Sequence, residues 1–381
     1  MIPYGRQDIR WEDVEEVVAT LRSDFLTQGP RVPAFENAVA QAVGAEHCVA
    51  VNSATSALHI ACLALGLGKG DLLWTSSITF VASANVGHLC GADVDFVDVD
   101  PETFNMSSAV LAEKLEAAKA AGRLPKVLMP VHMCGQSSDM AAIGSLAREH
   151  GVAVIEDASH AVGGRYQGQA VGACAHSDIA VFSFHPVKIV TTAEGGAATT
   201  QNPELAERMR LFRSHGVTRD SDLMQGDSHG PWYYQQIELG LNYRLTDLQA
   251  ALGVSQMRRL DEYVARRNEL AQRYDRLLAD LPVQRPGRDD QAYSAFHLYV
   301  VRVDPDRRRA VFEHLRANGI GVNVHYIPVH TQPYWQRFGF RPGQYPAAED
   351  YYARAISLPL YPTMSERDQD TVVRVFSEAL T

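Results

Sequence analysis

The sequence predicts an α/β protein: a mostly parallel central sheet with helices on both faces, joined to a smaller C-terminal α+β domain. Three observations point there. Short β-rich runs alternate with helical patterns from Cys48 to Phe184, the order that builds a parallel sheet covered on both sides. Near Thr246 the alternation gives way to a long amphipathic stretch rich in Arg, Leu and Ala. The chain has 381 residues, 46% hydrophobic and 21% charged, enough for a large core and a second, smaller one. The boundary is expected at residue 245, with 1–245 as an N-terminal segment and large domain and 246–381 as a linking helix and small domain.

The elements follow in order. A helix is expected from Trp11 to Arg22, and the turn Thr27-Gln28-Gly29-Pro30 leads into a second from Val32 to Val43. Strands are expected at Cys48 to Val51, Leu72 to Thr75, Val94 to Val97, Val127 to Val131, Ala153 to Glu156 and Ile179 to Phe184, short apolar runs rich in β-formers. Helical periodicity separates them, clearest at Ala54 to Leu65 and Met140 to Glu149. Gly163-Gly164 and Gly195-Gly196 read as turns, and Ser221 to Pro231 has loop composition. Leu248 to Leu281 reads as one interdomain helix, since it holds no Pro and no Gly but Gly253. After the loop Pro282 to Asp290 come a strand (Phe296 to Val303), a helix (Arg307 to Asn318), a strand (Gly321 to Tyr326) and a closing helix (Ser365 to Leu380).

A formal charge of −10 argues against broad nucleic-acid or anionic-membrane binding, which need a basic footprint. No apolar run reaches the ~18–20 residues that cross a bilayer, and Met1-Ile2-Pro3-Tyr4-Gly5-Arg6 lacks the apolar core of a signal peptide, so a cytoplasmic location is expected. The five cysteines are widely spaced with no Cys-x-x-Cys, which reads as buried free thiols. The histidines fall into no zinc spacing, and no metal is predicted.

Two segments carry the chemistry. Ser183-Phe184-His185-Pro186-Val187-Lys188 sets a lysine between a strand and the glycine turn Glu194-Gly195-Gly196, and upstream Val154-Ile155-Glu156-Asp157-Ala158-Ser159-His160 ends another apolar run in a carboxylate and an imidazole. Lysine-bound pyridoxal phosphate needs that pair: an amine to hold it and an acid to keep its ring nitrogen protonated. A free lysine amine, with a pKa near ~10.4, is almost wholly charged at neutral pH, so such a lysine must sit where burial favours the neutral form. Asn52-Ser53-Ala54-Thr55-Ser56-Ala57-Leu58 follows the first strand and opens a helix, a cup of N–H groups and hydroxyls for a phosphate, with Ser183 as a further hydroxyl. Phe80 follows another strand, placed to stack on a pyridine face, and His160 is placed to reach the cofactor's phenolic oxygen. Taken singly, each has a plain structural reading: a surface lysine, a helix cap, a core phenylalanine, a core histidine. Together they favour the cofactor.

These motifs resemble those of the DegT/StrS-type sugar-nucleotide aminotransferases, pyridoxal-phosphate enzymes of fold type I. The resemblance spans nearly the whole chain, through Gln28-Gly29-Pro30, the Asn52–Leu58 segment, Glu156-Asp157-Ala158-Ser159-His160-Ala161, Phe182-Ser183-Phe184-His185, Glu194-Gly195-Gly196, Gly240-Leu241-Asn242-Tyr243-Arg244 and Val324-His325-Tyr326. A narrower likeness, to the transaminases of pseudaminic acid biosynthesis, rests on Pro3-Tyr4-Gly5-Arg6-Gln7, Leu26-Thr27-Gln28-Gly29-Pro30, Arg213-Ser214-His215-Gly216 and His325-Tyr326-Ile327-Pro328-Val329-His330.

The resemblance implies a homodimer with shared active sites that takes an amino group from L-glutamate to C4 of a UDP-linked 4-keto-6-deoxy sugar. It implies that Lys188 holds the cofactor and moves the proton, Asp157 pairs with the ring nitrogen, Phe80 stacks, and Thr55, Ser56 and Ser183 bind the phosphate. Asn242 would reach the cofactor of the neighbouring subunit. Substrate contacts would fall on Tyr4, Asp24, Phe25, Leu26, Thr27, Ala54, Ser183, Asn242, Val329 and His330. Arg244, His325 and Tyr326 join them because a diphosphate on an acidic protein needs local donors. Relatives with His in place of the lysine remove a hydroxyl, a branch that Lys188 argues against. His160 stands where many relatives have Gln. Two alternatives stay open: another UDP- or dTDP-linked keto sugar, or a cofactor-binding regulator of the same fold without turnover.

Overall fold

The computed structural model describes residues 1–381. Six apolar runs form parallel strands: β1 (His47–Val51), β2 (Leu72–Ser76), β3 (Asp93–Val97), β4 (Val127–Met129), β5 (Ala153–Asp157) and β6 (Ile179–Ser183). A seventh, β7 (Gly196–Thr200), completes the sheet in the order β1-β7-β6-β5-β4-β2-β3 and is the one antiparallel member. The inner strands are buried along their length because helices cover both faces, whereas the edge strand β3 alternates Asp93 and Asp95 with Val94 and Phe96. Val49 and Val51 pack toward one face while Cys48 and Ala50 pack toward the other, the two-residue alternation of a pleated strand.

Helices α1 (Trp11–Leu21), α2 (Arg31–Val43), α3 (Ala54–Ala64), α4 (Ala82–Leu89), α5 (Ser108–Ala120), α6 (Met140–His150), α7 (Pro203–Arg213), α8 (Asp247–Met257) and α9 (Leu260–Leu277) surround the sheet. One core gathers α3, α4 and α7 against the sheet. On the opposite face, one cluster gathers α2 and α8 and another α5 and α6. The C-terminal part adds β8 (Tyr299–Arg302), α10 (Arg308–Ala317), α11 (Pro333–Gln336), α12 (Pro346–Arg354), β9 (Ala355–Leu358) and α13 (Glu366–Leu380), with β8 and β9 antiparallel. No helix is long and apolar enough to cross a membrane.

Four expectations need correction. The long helix over 248–281 is two helices, α8 and α9, broken at Arg258-Arg259, where Arg259 leaves helical geometry at φ −112° and ψ 10°. Its guanidinium binds the buried Asp13 carboxylate of α1 at 2.6 and 2.8 Å, and Gln256 donates to the same group at 2.9 Å. That tertiary clamp sets the corner without a glycine or proline to announce it. The strand over 296–303 starts late because Phe296 is left-handed, at φ +46°. Residues 321–326 form no strand: only Asn323 bridges Ser357, and Val324, His325 and Tyr326 line a cavity. Gly196 opens β7 instead of belonging to a turn alone. The strand's Gly-Ala-Ala start has little β-propensity and is held by pairing on both sides, Val51↔Gly196 and Ser183↔Gly196.

Candidate active site

The carboxyl ends of the parallel strands converge on a cavity of about 510 Å³, where open α/β sheets bind ligands. Ser53, Ala54 and Thr55 reach it from the end of β1, Thr79 and Phe80 from β2, and Val131 from β4. Asp157 closes β5, Ser183 closes β6, and Lys188 follows on the loop beyond. The C-terminal part contributes His297, Asn323, Val324, His325 and Tyr326, and the N-terminal segment contributes Tyr4.

Lys188 sits on a tight turn in which its N–H donates to the His185 carbonyl at 2.9 Å. Burial pushes its ammonium down to about 8, against the opposing pull of the Asp157 charge. The same dry, positively charged surroundings lower three imidazoles. Burial first and the Lys188 charge second hold His160 and His297 well below the usual histidine range and bring His325 down to about 4. All three are therefore neutral at physiological pH.

Asp157 is held at both oxygens. Ser83 donates to Oδ2 at 2.7 Å, the Ser159 N–H donates to Oδ1 at 3.1 Å, and Thr79 and Ser83 share a hydroxyl bond of 2.7 Å. Ser83 is fully buried in the first turn of α4, beneath the carboxylate. Sequence reasoning missed this support. Ser83 follows Phe80 within one helical turn, but only the fold places that turn under β5. His160 Nε2 meets the Tyr326 hydroxyl at 3.0 Å, its Nδ1 is buried without a partner, and its ring lies 4.5 Å from that of His297. His325 Nδ1 is anchored on Ser357 at 2.7 Å. Phe80 leaves 58% of its surface open and lies 6.0 Å from the Tyr326 ring.

The cup forms as its residues dictate. Ser53 caps α3 by accepting from the Ser56 N–H at 3.1 Å, which leaves the preceding first-turn N–H groups outside the helix ladder. Gly196 packs directly behind it: a Cβ there would come within 2.5 Å of the Ala54 nitrogen and the Ser53 carbonyl.

The structure brings ten of the predicted residues to one cavity: Tyr4, Ala54, Thr55, Phe80, Asp157, His160, Ser183, Lys188, His325 and Tyr326. Others lie elsewhere. Ser56 is buried, its hydroxyl donated to Asn52 Oδ1 at 2.6 Å, so it braces the cup from inside. Asp24, Phe25, Leu26 and Thr27 are exposed, as is Asn242, whose backbone bridges Ser214. Arg244 is half-buried, its backbone bridged to Val51. Val329 and His330 turn inward, against expectation. Both are wholly buried, Val329 in the main core and His330 bonded through Nε2 to Glu349 at 3.0 Å, so their side chains are not presented to the cavity.

The model of the DegT/DnrJ/EryC1/StrS aminotransferase family matches residues 7–377. The chain belongs to this family. The spore coat polysaccharide biosynthesis protein SpsC of Bacillus subtilis (strain 168) is 41% identical over 379 residues, covering 98% of this chain and 95% of SpsC. The solved structure of Helicobacter pylori PseC, an aminotransferase involved in the biosynthesis of pseudoaminic acid, superposes with a TM-score of 0.90 at 31% identity, over 100% of this chain and 99% of PseC. Spr1654 from Streptococcus pneumoniae, solved in a PMP form, gives 0.91 at 29% identity, over 100% of this chain and 99% of that one.

The aminotransferase therefore has the fold of its family, uses pyridoxal phosphate and acts on a sugar. Its own residues fit that cofactor. A lysine lowered to about 8, a doubly braced carboxylate, a helix N-terminus with open N–H groups and a buried Nδ1 without a partner all border one cavity.

Proposed function

We propose that this aminotransferase moves the amino group of L-glutamate to C4 of a UDP-linked 4-keto-6-deoxy sugar, forming UDP-4-amino-4,6-dideoxy-N-acetyl-β-L-altrosamine. It works in the cytoplasm as a homodimer with shared active sites. The observation that carries this reading is the opening of Lys188 and Asp157 onto one cavity whose wall includes Tyr4, His325 and Tyr326, which belong to motifs that resemble those of pseudaminic acid transaminases. The likeness to PseC over the full chain supports it.

Bound pyridoxal phosphate supplies an electron sink beside the carbon that gains or loses the amine. Lys188, partly neutral near pH 8, takes a proton from the amine-bearing carbon and returns it on the other side of the exchange, so one base serves both half-reactions. Asp157, fixed by Ser83 and the Ser159 amide, would keep the cofactor's ring nitrogen protonated. His160 lines the cavity and would reach the phenolic oxygen of the cofactor, with Tyr326 fixing the tilt of its ring. Thr55, Ser183 and the α3 N-terminus would hold the phosphate, and Phe80 would cover the ring. Asn242 and the exposed Asp24–Thr27 segment serve the site of the partner subunit, with Arg244, two residues from Asn242, as a donor for the diphosphate. The same reading divides the chain at residue 245, with α8 and the start of α9 packed on the large domain as the linking element and a separate apolar cluster from Leu270 to Phe376 as the core of the small domain.

Incubating the yellow, cofactor-loaded protein with L-glutamate should bleach it and release 2-oxoglutarate. Adding the UDP-linked keto sugar should restore the colour and yield the aminated sugar by mass and NMR. Amination of a different nucleotide keto sugar in preference would reassign the substrate, and a protein that stays yellow with glutamate would be a binder without turnover.

A further inference from the structure

We propose that a second groove beside the cavity receives the pyrimidine base of the substrate, with Tyr334 as its stacking ring and the Asn85 and Gln332 amides as its polar readers. This rests on the nucleotide-linked reading above. The cavity of about 510 Å³ is where the cofactor and the reacting hexose meet, and a nucleoside diphosphate attached to that sugar runs outward from its rim. The groove begins there: Thr55 lines both spaces, and Val81, between the cavity residues Phe80 and Ala82, lines the groove.

Its walls are α4 and α11, and its volume is about 570 Å³. Tyr334 keeps 45% of its surface open yet is held in place. Its hydroxyl meets His88 Nδ1 at 3.1 Å, and its neighbour Trp335, only 1% exposed, packs 4.6 Å from the same imidazole. A ring fixed before the ligand arrives stacks at little entropic cost. No acid, lysine or arginine lines the groove, and burial lowers the His88 pKa, so it suits a neutral planar group better than a diphosphate. Arg337 packs against Tyr334 from outside the lining, 5.9 Å from the ring centroid. The half-buried amides of Asn85 and Gln332 form no hydrogen bond within the chain, and each offers both a donor and an acceptor, matching the alternating edge of uracil.

The test is titration calorimetry of UDP and ADP into the cofactor-loaded protein, with cofactor absorbance confirming that each variant is folded. Tyr334→Ala should weaken UDP by about tenfold, the scale of one lost base stack, while Tyr334→Phe keeps most of the affinity. Asn85→Ala and Gln332→Ala should weaken UDP and narrow its preference over ADP. UDP affinity unchanged in Tyr334→Ala and in both amide variants would place the base elsewhere and overturn the inference. A wild-type protein that ignores UDP at millimolar concentration would instead remove the nucleotide-linked reading beneath it.

Discussion

At Lys188, burial and charge act in opposite directions, and burial wins: the amine falls from its ordinary 10.5 to about 8 although Asp157 pulls it upward. A lysine depressed in the folded state binds fewer protons than the unfolded chain between those two values, so stability rises with pH across that window. The cofactor-free protein should therefore gain resistance to urea from pH 8 to about 10.5, and Lys188→Met should flatten that rise in denaturation curves. Lys188→Ala should abolish the yellow absorbance and turnover, read by spectrum and by product mass. Ser83→Ala tests the brace beneath Asp157. Losing one hydrogen bond to a charged group costs about 1.5–3 kcal/mol, so the glutamate half-reaction should slow by roughly ten- to a hundredfold in stopped-flow bleaching, with the Ser159 amide left as partial support.

Among the elements, the corner between α8 and α9 depends on Asp13, a carboxylate 1% exposed that is shared by Arg259, Gln256 and the Arg10 N–H. Asp13→Ala leaves a largely buried guanidinium without its partner, and the expected loss of about 3–5 kcal/mol should appear as a lower midpoint in chemical denaturation. The same corner shows where sequence reasoning stops. Most of β1 to β6 were legible as compact apolar runs and β3 as an alternation of Asp with Val and Phe, and the Lys188, Asp157 and Asn52–Leu58 segments were legible because each follows or ends such a strand. The break at Arg259 comes from a residue on α1, far away in sequence, and β7 comes from partners on both flanks, so no local pattern encodes either. Ser83 and His297 are invisible for a like reason: their roles depend on which turn the fold lays beneath β5 and beside His160. Val329 and His330 close the His325–His330 motif, whose first two side chains line the cavity, yet the packing around Glu349 and the core turns these last two inward.

For the whole molecule, the shared-site reading makes a sharp expectation. Asn242 is exposed in one chain while Lys188 faces that chain's own cavity, so each complete site would draw the two residues from different subunits. Co-refolding Lys188→Ala with Asn242→Ala should then restore roughly a quarter of wild-type activity, since half of randomly formed dimers are mixed and each mixed dimer holds one intact site. No recovery, with mixed dimers verified by mass, would place Asn242 in the same chain's site. The strand β7 has a consequence on the ribosome. The phosphate cup leaves the exit tunnel early, but Gly196 behind it arrives only after β6 and the lysine loop, and the slot between β1 and β6 stays empty until then. A polypeptide released before that point lacks the strand that floors the cup and joins β1 to β6, even where it already carries Lys188.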